Sequence, residues 1–356
     1  MILARSPYYA ITQDFGAVNQ TAKIYLKIWR GHKVNDEPTE ETRIFTLVKP
    51  APNITKLSKD ISPHIRDFFL SETIQPFTTT TNSQDSAVWV KYEIEYLEDP
   101  NIQNDVVVDF AVEGYSNYLD GVNYQADGLL QNYIQNRKIK KVWNKGVTII
   151  GFSYDVNINV NTYDENGTLT SLNVFPLSEF SHELISYVVL DNSGYGEKIS
   201  VEITDEIGNV LDLFYYDVVC ENKFEPKNIV FKNKYGAYEN IYFFKKSTES
   251  VNIENKEFVS NVITADASYD KTKHQFRNFA TNSKKTINLT TGFVDEALNQ
   301  NLEQLMHSNA IWLQDEKTLY PVNIKTTSKE FKSERVDQKI SYNFEFEYAF
   351  NNLNTM

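Results

Sequence analysis

The stretch KISYNFEFEYAF, residues 339–350, sets Ile340, Tyr342, Phe344, Phe346, Tyr348 and Phe350 at every second position. Lys339, Ser341, Asn343, Glu345 and Glu347 stand between them. Successive side chains of an extended strand point to opposite faces, so this period of two describes a ribbon with one apolar and one wet side. The apolar side needs a cover, either the protein's own core or a second subunit.

The same pattern recurs along the chain. Residues 22–29 set Ala22, Ile24, Leu26 and Ile28 on one side, and residues 88–97 set Val88, Val90, Tyr92, Ile94 and Tyr96 against Lys91, Glu93 and Glu95. Tyr154, Val156, Ile158 and Val160 alternate with Asp155, Asn157, Asn159 and Asn161, and KISVEIT repeats the pattern with Ile199, Val201 and Ile203. Strands with one wet face belong to antiparallel sheets, because parallel sheets are covered on both faces and read as unbroken apolar runs. DENG at 164–167 and DEIGN at 205–209 supply the Asp, Asn and Gly of short connections, so 157–175 and 199–219 each read as a hairpin.

Helices are few. Ser62 is expected to cap, and Pro63 to begin, a helix of about two or three turns. Over 293–307, Val294, Ala297, Leu298, Asn301, Leu302, Leu305 and Met306 follow three-four spacing, with Asp295 and Glu296 in the first turn. The expected class is therefore all-β with few short helices, built as antiparallel β-sandwich domains in series. A basic, turn-like stretch at 136–146 and a polar one at 245–258 mark boundaries. They give an N-terminal β domain over 1–145, a central hairpin-rich β-sandwich over 146–247, and a C-terminal β domain over 248–356 that carries the helix.

Composition narrows the function classes. The chain has 356 residues with 22 Tyr, 22 Phe and only 13 Gly and 10 Pro, which favours strands and excludes a collagen-like or disordered chain. A formal charge of −13 argues against general affinity for nucleic acid or anionic lipid. Cys220 is the single cysteine, so an intrachain disulfide, a four-cysteine zinc site and an iron–sulfur cluster are all ruled out. Beside Val218 and Val219 it reads as a small buried apolar residue. The first residues lack the apolar run of a secretory signal, and no segment approaches the ~20 apolar residues of a membrane span, so synthesis in a cytoplasm is expected.

Catalytic and metal-binding patterns are sparse. His32, His64, His182, His274 and His307 each stand without a second ligand at metal spacing, and no phosphate loop, dinucleotide fingerprint or nucleophile elbow occurs. Neither a metal nor a cofactor is expected. Asp109 with Glu113, and Glu93 with Glu95, are pairs that could serve sugar hydrolysis, but on strand-like ribbons the solvated-face reading is favoured. The stretch EGYSNYLDGVNYQADG, 113–128, sets Tyr115, Tyr118 and Tyr124 among Asn, Asp and Gly, a composition suited to contact surfaces and sugar stacking. The alternative is that these rings fold back over the N-terminal core.

Two stretches carry a resemblance. PKNIVFKNKYGAYENIYFFKK, 226–246, with its Asn-Lys-Tyr-Gly turn, resembles virion structural proteins of tailed bacteriophages that infect Bacteroidota. The closing block at 290–350, TTGFVDEALNQ through FEFEYAF, is similar to the tail-tube and distal-tail group of β-sandwich domains. The resemblance implies a non-enzymatic tail or baseplate component, such as a hub or distal-tail protein, made in the host bacterial cytoplasm and carried in the virion tail. It implies partners that are copies of the chain in a symmetric ring, together with other phage tail proteins. It also marks the turn residues Asn233, Tyr235, Gly236 and Tyr238 as an expected contact between subunits. Residues 1–145 match nothing in that group, which leaves room for an adaptor that reads a host-surface glycan or receptor through Tyr115, Tyr118 and Tyr124.

Overall fold

The computed structural model describes residues 1–14, 21–31, 33–49, 54–69, 81–84, 87–97, 102–125, 137–140, 149–152, 157–176, 185–189, 198–205, 207–219, 223–315, 318–333 and 340–352. Cys220, His32, His182 and the boundary expected at 145–146 lie outside the described residues. The protein is all-β, with mostly antiparallel strands and, among the described residues, two short α-helices. Its contacts group Met1–Cys220 with Phe231–Asn240 in one compact unit, and Glu221–Val230 with Ile241–Met356 in another.

In the first unit, a five-stranded sheet runs in the order Ile2–Leu3, Asp105–Val112, Ala87–Tyr96, Thr21–Trp29, Arg43–Val48. The alternation read from the sequence decides its inner face: Ala22, Ile24, Leu26, Val88, Val90 and Ile94 are all sealed from solvent. Burying a side chain of this size contributes roughly 1.5–3 kcal/mol, which is why the pattern dictates the register. Helix Ser62–Asp67 lies against this core through Ile65. Its cap differs from the expectation, since the N-cap is Ile61 and the Asp60 carboxylate accepts from both the Ser62 N–H, at 3.0 Å, and the Ser62 hydroxyl, at 2.7 Å. At six residues it is also shorter than expected.

Both expected hairpins are present. Asn157–Tyr163 pairs with Leu169–Pro176, and Lys198–Thr204 pairs with Val210–Val219, all in one sheet. Their turns use one device twice: Asp164 Oδ1 accepts from the N–H groups of Asn166 and Thr168, and Asp205 Oδ1 from those of Ile207 and Asn209. The glycine of each turn, Gly167 and Gly208, takes the positive φ that such a connection demands.

The seven-stranded sheet runs Tyr238–Phe243, Lys227–Lys232, Ile311–Asp315, Thr318–Ile324, Asn343–Tyr348, Phe276–Thr290, Thr248–Val259. The closing strand is covered by the chain itself, since Ile340, Tyr342, Phe344 and Phe346 are buried and Phe243 meets the rings of Phe344 and Phe346 edge-on, each at 6.1 Å. Phe350 at its end is exposed. Glu347, expected on the wet face, is nearly buried because Lys325, just past the strand Thr318–Ile324, and Lys284, on the other flanking strand, reach it at 2.9 and 3.2 Å. The expected second helix is a short 3-10 turn, Glu296–Leu298, leading into α-helix Asn299–His307. Leu302 and Leu305 face inward with the polar Asn301, as its place on the apolar stripe implied.

Candidate contact surfaces

The two segments singled out in the sequence, 113–124 and 233–238, meet in the first unit. Strand Asp105–Val112 delivers the chain to Glu113 and Gly114, and the turn after Lys227–Lys232 lies directly on them. Gly114 is required there: a Cβ would stand 2.7 Å from the Lys234 carbonyl oxygen. Gly236 is required on the other side, with φ +78° and a would-be Cβ 2.8 Å from the Glu113 backbone. Tyr115 N–H donates to the Lys234 carbonyl at 2.7 Å. Beneath this seam Lys232 Nζ lies 2.6 Å from Glu113 Oε2, both side chains nearly sealed from water, with the ammonium 5.6 Å from the Tyr238 ring centre.

The turn is closed by its own first residue. Asn233 Oδ1 accepts from the N–H groups of Tyr235 and Ala237, and its Nδ2 donates to Glu239. Tyr238 packs on Tyr187 and donates its backbone N–H to the Tyr187 hydroxyl. Asn233 and Tyr238 are buried within the chain, while Tyr235 is half-buried beside Lys234.

The loop is pinned as firmly from the N-terminal segment. Arg5 N–H donates to the Gly114 carbonyl, and the Arg5 guanidinium stacks 5.1 Å from the Tyr115 ring centre. Ser116 N–H donates to the Ser6 hydroxyl, and the Asn123 side chain both accepts from Tyr9 N–H and donates to Tyr9 C=O. Lys234 Nζ sits 5.7 Å from the Tyr124 ring centre and 3.4 Å from Asp120. The Asn117 N–H, followed by Lys234, holds the Asp120 carboxyl below its usual range. Between these fixings Tyr118 and Leu119 stand 97% and 93% exposed. Of the three tyrosines, Tyr115 and Tyr124 are therefore anchors and Tyr118 is the group offered outward.

The carboxylates Glu93 and Glu95 line a groove of about 300 Å³ on the wet face of the first sheet, with Tyr25, Lys27, Glu41, Lys91 and Asn104. Tyr25 donates to Glu95 at 2.6 Å and Asn104 to Glu93 at 2.8 Å. Asp109 lies 3.0 Å from the Met1 amino group and Glu113 is held by Lys232. Among the described residues no group of three His, Cys, Asp or Glu side chains is placed to hold a metal, and no helix is long and apolar enough to cross a membrane.

A second surface was not read from the sequence. Residues 245–258, expected to be a polar boundary, overlap the strand Thr248–Val259, which pairs with Phe276–Thr290. Only Thr286–Thr290 of that partner continues onto Asn343–Tyr348, so from Val251 outward the two strands form a ribbon of roughly 30 Å at about 3.4 Å per residue. Every residue of Thr248–Val259 is exposed, with Val251, Ile253, Phe258 and Val259 among them, and so are Phe276 and Phe279 opposite. The alternation of Val251 and Ile253 was the available signal. It was hidden because Phe258 alternates onto the other face, where a bulge that adds Phe279 to the partner strand brings the two rings within 6.3 Å.

No model of a known protein family matches the chain, and no curated protein matches its sequence.

Proposed function

We propose that this chain is a non-enzymatic structural component of a bacteriophage tail or baseplate that works by packing against copies of itself in a symmetric ring and against other tail proteins. The observation that carries the reading is the exposed ribbon of Thr248–Val259 and Phe276–Thr290. A two-stranded ribbon alone is marginal in water, and this one holds exposed apolar side chains on both faces, Val251 and Ile253 on one and Phe258 on the other. It is an element whose stability belongs to an assembly. Ring closure by head-to-tail contacts requires two different complementary patches, and the ribbon and the Tyr118 loop are two. The resemblance of 226–246 and 290–350 to virion tail proteins supplies the class. Electron microscopy of the purified chain, alone and mixed with the other tail proteins of its phage, tests this: rings or mixed complexes are expected, and a strictly monomeric chain at assembly concentration with no affinity for those proteins refutes it.

A second reading rests on Tyr118. A rigid loop that holds an aromatic ring in solvent suits an adaptor that stacks on a host-surface glycan or docks on a receptor. Glycan arrays of the parent chain and of Tyr118→Ala test it, and binding unchanged by the substitution removes the loop from that role.

A further inference from the structure

The free edge of the ribbon has a register of its own. Thr248–Val259 is the last strand of its sheet. Ser260 N–H donates back to the Gln275 carbonyl, and the Ser283 carbonyl, opposite Ile253, turns away from this strand to accept from Asn352 N–H, which together fix which residues face the paired strand. By the strand's period of two, Val251, Ile253, Asn255, Glu257 and Val259 aim their N–H and C=O groups at the open edge. The extra residue of the bulge lies on the partner strand, at Phe279, so this edge stays regular. The partner strand's own outer edge is occupied at its inner end, by Asn343–Tyr348 along Thr286–Thr290 and by Asn352 N–H on the Ser283 carbonyl.

We propose that this edge pairs antiparallel with the same edge of a second copy of the chain, about a two-fold axis through Asn255. Charge selects that register. Centred on Asn255, Glu254 faces Lys256 twice across the axis, Val251 faces Val259, and Ile253 faces Glu257. Centred one residue away, Glu254 or Lys256 faces itself; centred two away, Glu249 faces Glu257 or Glu257 faces itself. Like charges directly opposite are destabilising and unlike ones stabilising, so of these registers only the Asn255-centred one is free of repulsion. Registers offset by an odd sum set outward-facing backbone against inward-facing backbone and cannot bond. The Asn255 register would exchange about ten backbone hydrogen bonds, two for each facing pair of outward residues. It would also gather Val251, Val259 and Phe276 of the two copies on one face.

This contact rests on the assembly reading and adds to it an isologous, two-fold joint that would link subunits or whole rings face to face. The test is charge exchange and a crosslink. Lys256→Glu and Glu254→Lys alone are each expected to weaken self-association about tenfold or more, since each sets two like pairs opposite. The combined Glu254→Lys/Lys256→Glu variant restores the opposition and is expected to return association to the parent level in analytical ultracentrifugation. Asn255→Cys is expected to give a disulfide-linked dimer on mild oxidation, absent from the parent chain with its Cys220. Oligomers that persist unchanged in both single variants, with no Asn255→Cys crosslink, overturn this joint and leave the assembly reading standing. A parent chain monomeric at every concentration overturns both.

Discussion

Replacing Lys232 with methionine is expected to destabilise the first unit by about 3–5 kcal/mol, because it leaves the buried Glu113 carboxylate without its principal cation. The two groups lie 2.6 Å apart and only 3% and 8% of their side chains is exposed. Methionine keeps most of the lysine stem, so packing against Tyr238 is largely retained and the loss reports the charge. At roughly 2–4 °C per kcal/mol for a unit of this size, the midpoint of thermal unfolding should fall by roughly 6–20 °C. The combined Lys232→Met/Glu113→Leu variant removes both charges and is expected to recover most of the loss, as buried ion pairs replaced by apolar groups usually do. Denaturant unfolding of the parent, both single variants and the double closes the cycle. A single-variant cost below about 1 kcal/mol, or a double variant as unstable as the sum of the singles, would show that the pair does not fasten the turn to Glu113 in the way described.

Gly236→Ala should cost more than the usual ~1 kcal/mol of a left-handed alanine, since its Cβ also meets the Glu113 backbone; a midpoint within error of the parent would contradict the close approach. Burial, then the hydrogen bond it donates to Asp105, pushes the Tyr96 phenol up to about 12. A raised folded value contributes stability that is complete below the unfolded value of 10.0 and is lost as pH rises from there toward about 12. Tyr96→Phe should therefore flatten the alkaline limb of stability against pH, and an unchanged slope counts against the assignment. The hydrogen bond from Lys325, joined by that from Lys284, holds Glu347 below the usual carboxylate range, so its contribution is present above pH 4.5 and lost as pH falls below it. Glu347→Gln should shallow the acid limb, less so at high salt, and an identical acid limb would refute the pairing.

What could be read from the sequence follows from how each feature is encoded. Period two gave the strands because burial acts on every second side chain, and Ile24, Val90, Ile203 and Phe344 each fell on the inner face. Asp-rich turns gave the hairpins because Asp164 and Asp205 act within a few residues of themselves. The joining of Glu113 to Lys232 could not be read, since 119 residues separate the partners and neither neighbourhood marks them. Nor could the burial of Glu347, which depends on Lys284 and Lys325, both distant in sequence. Ser62 misled for a related reason: Asp60, two residues earlier, takes over the capping it was expected to do. The ribbon was missed because it lacks the one-sided pattern of an edge that packs on its own core.

The exposed loop at Tyr118 is fastened by Arg5, Ser6 and Tyr9 on one side and by Lys234 and Gly236 on the other. A nascent polypeptide therefore carries the first set of fastenings from the start but cannot lock the tip until Ala237 has left the ribosome. Truncated products ending before residue 230 would lack Lys234 and Gly236 and so display a slack tip.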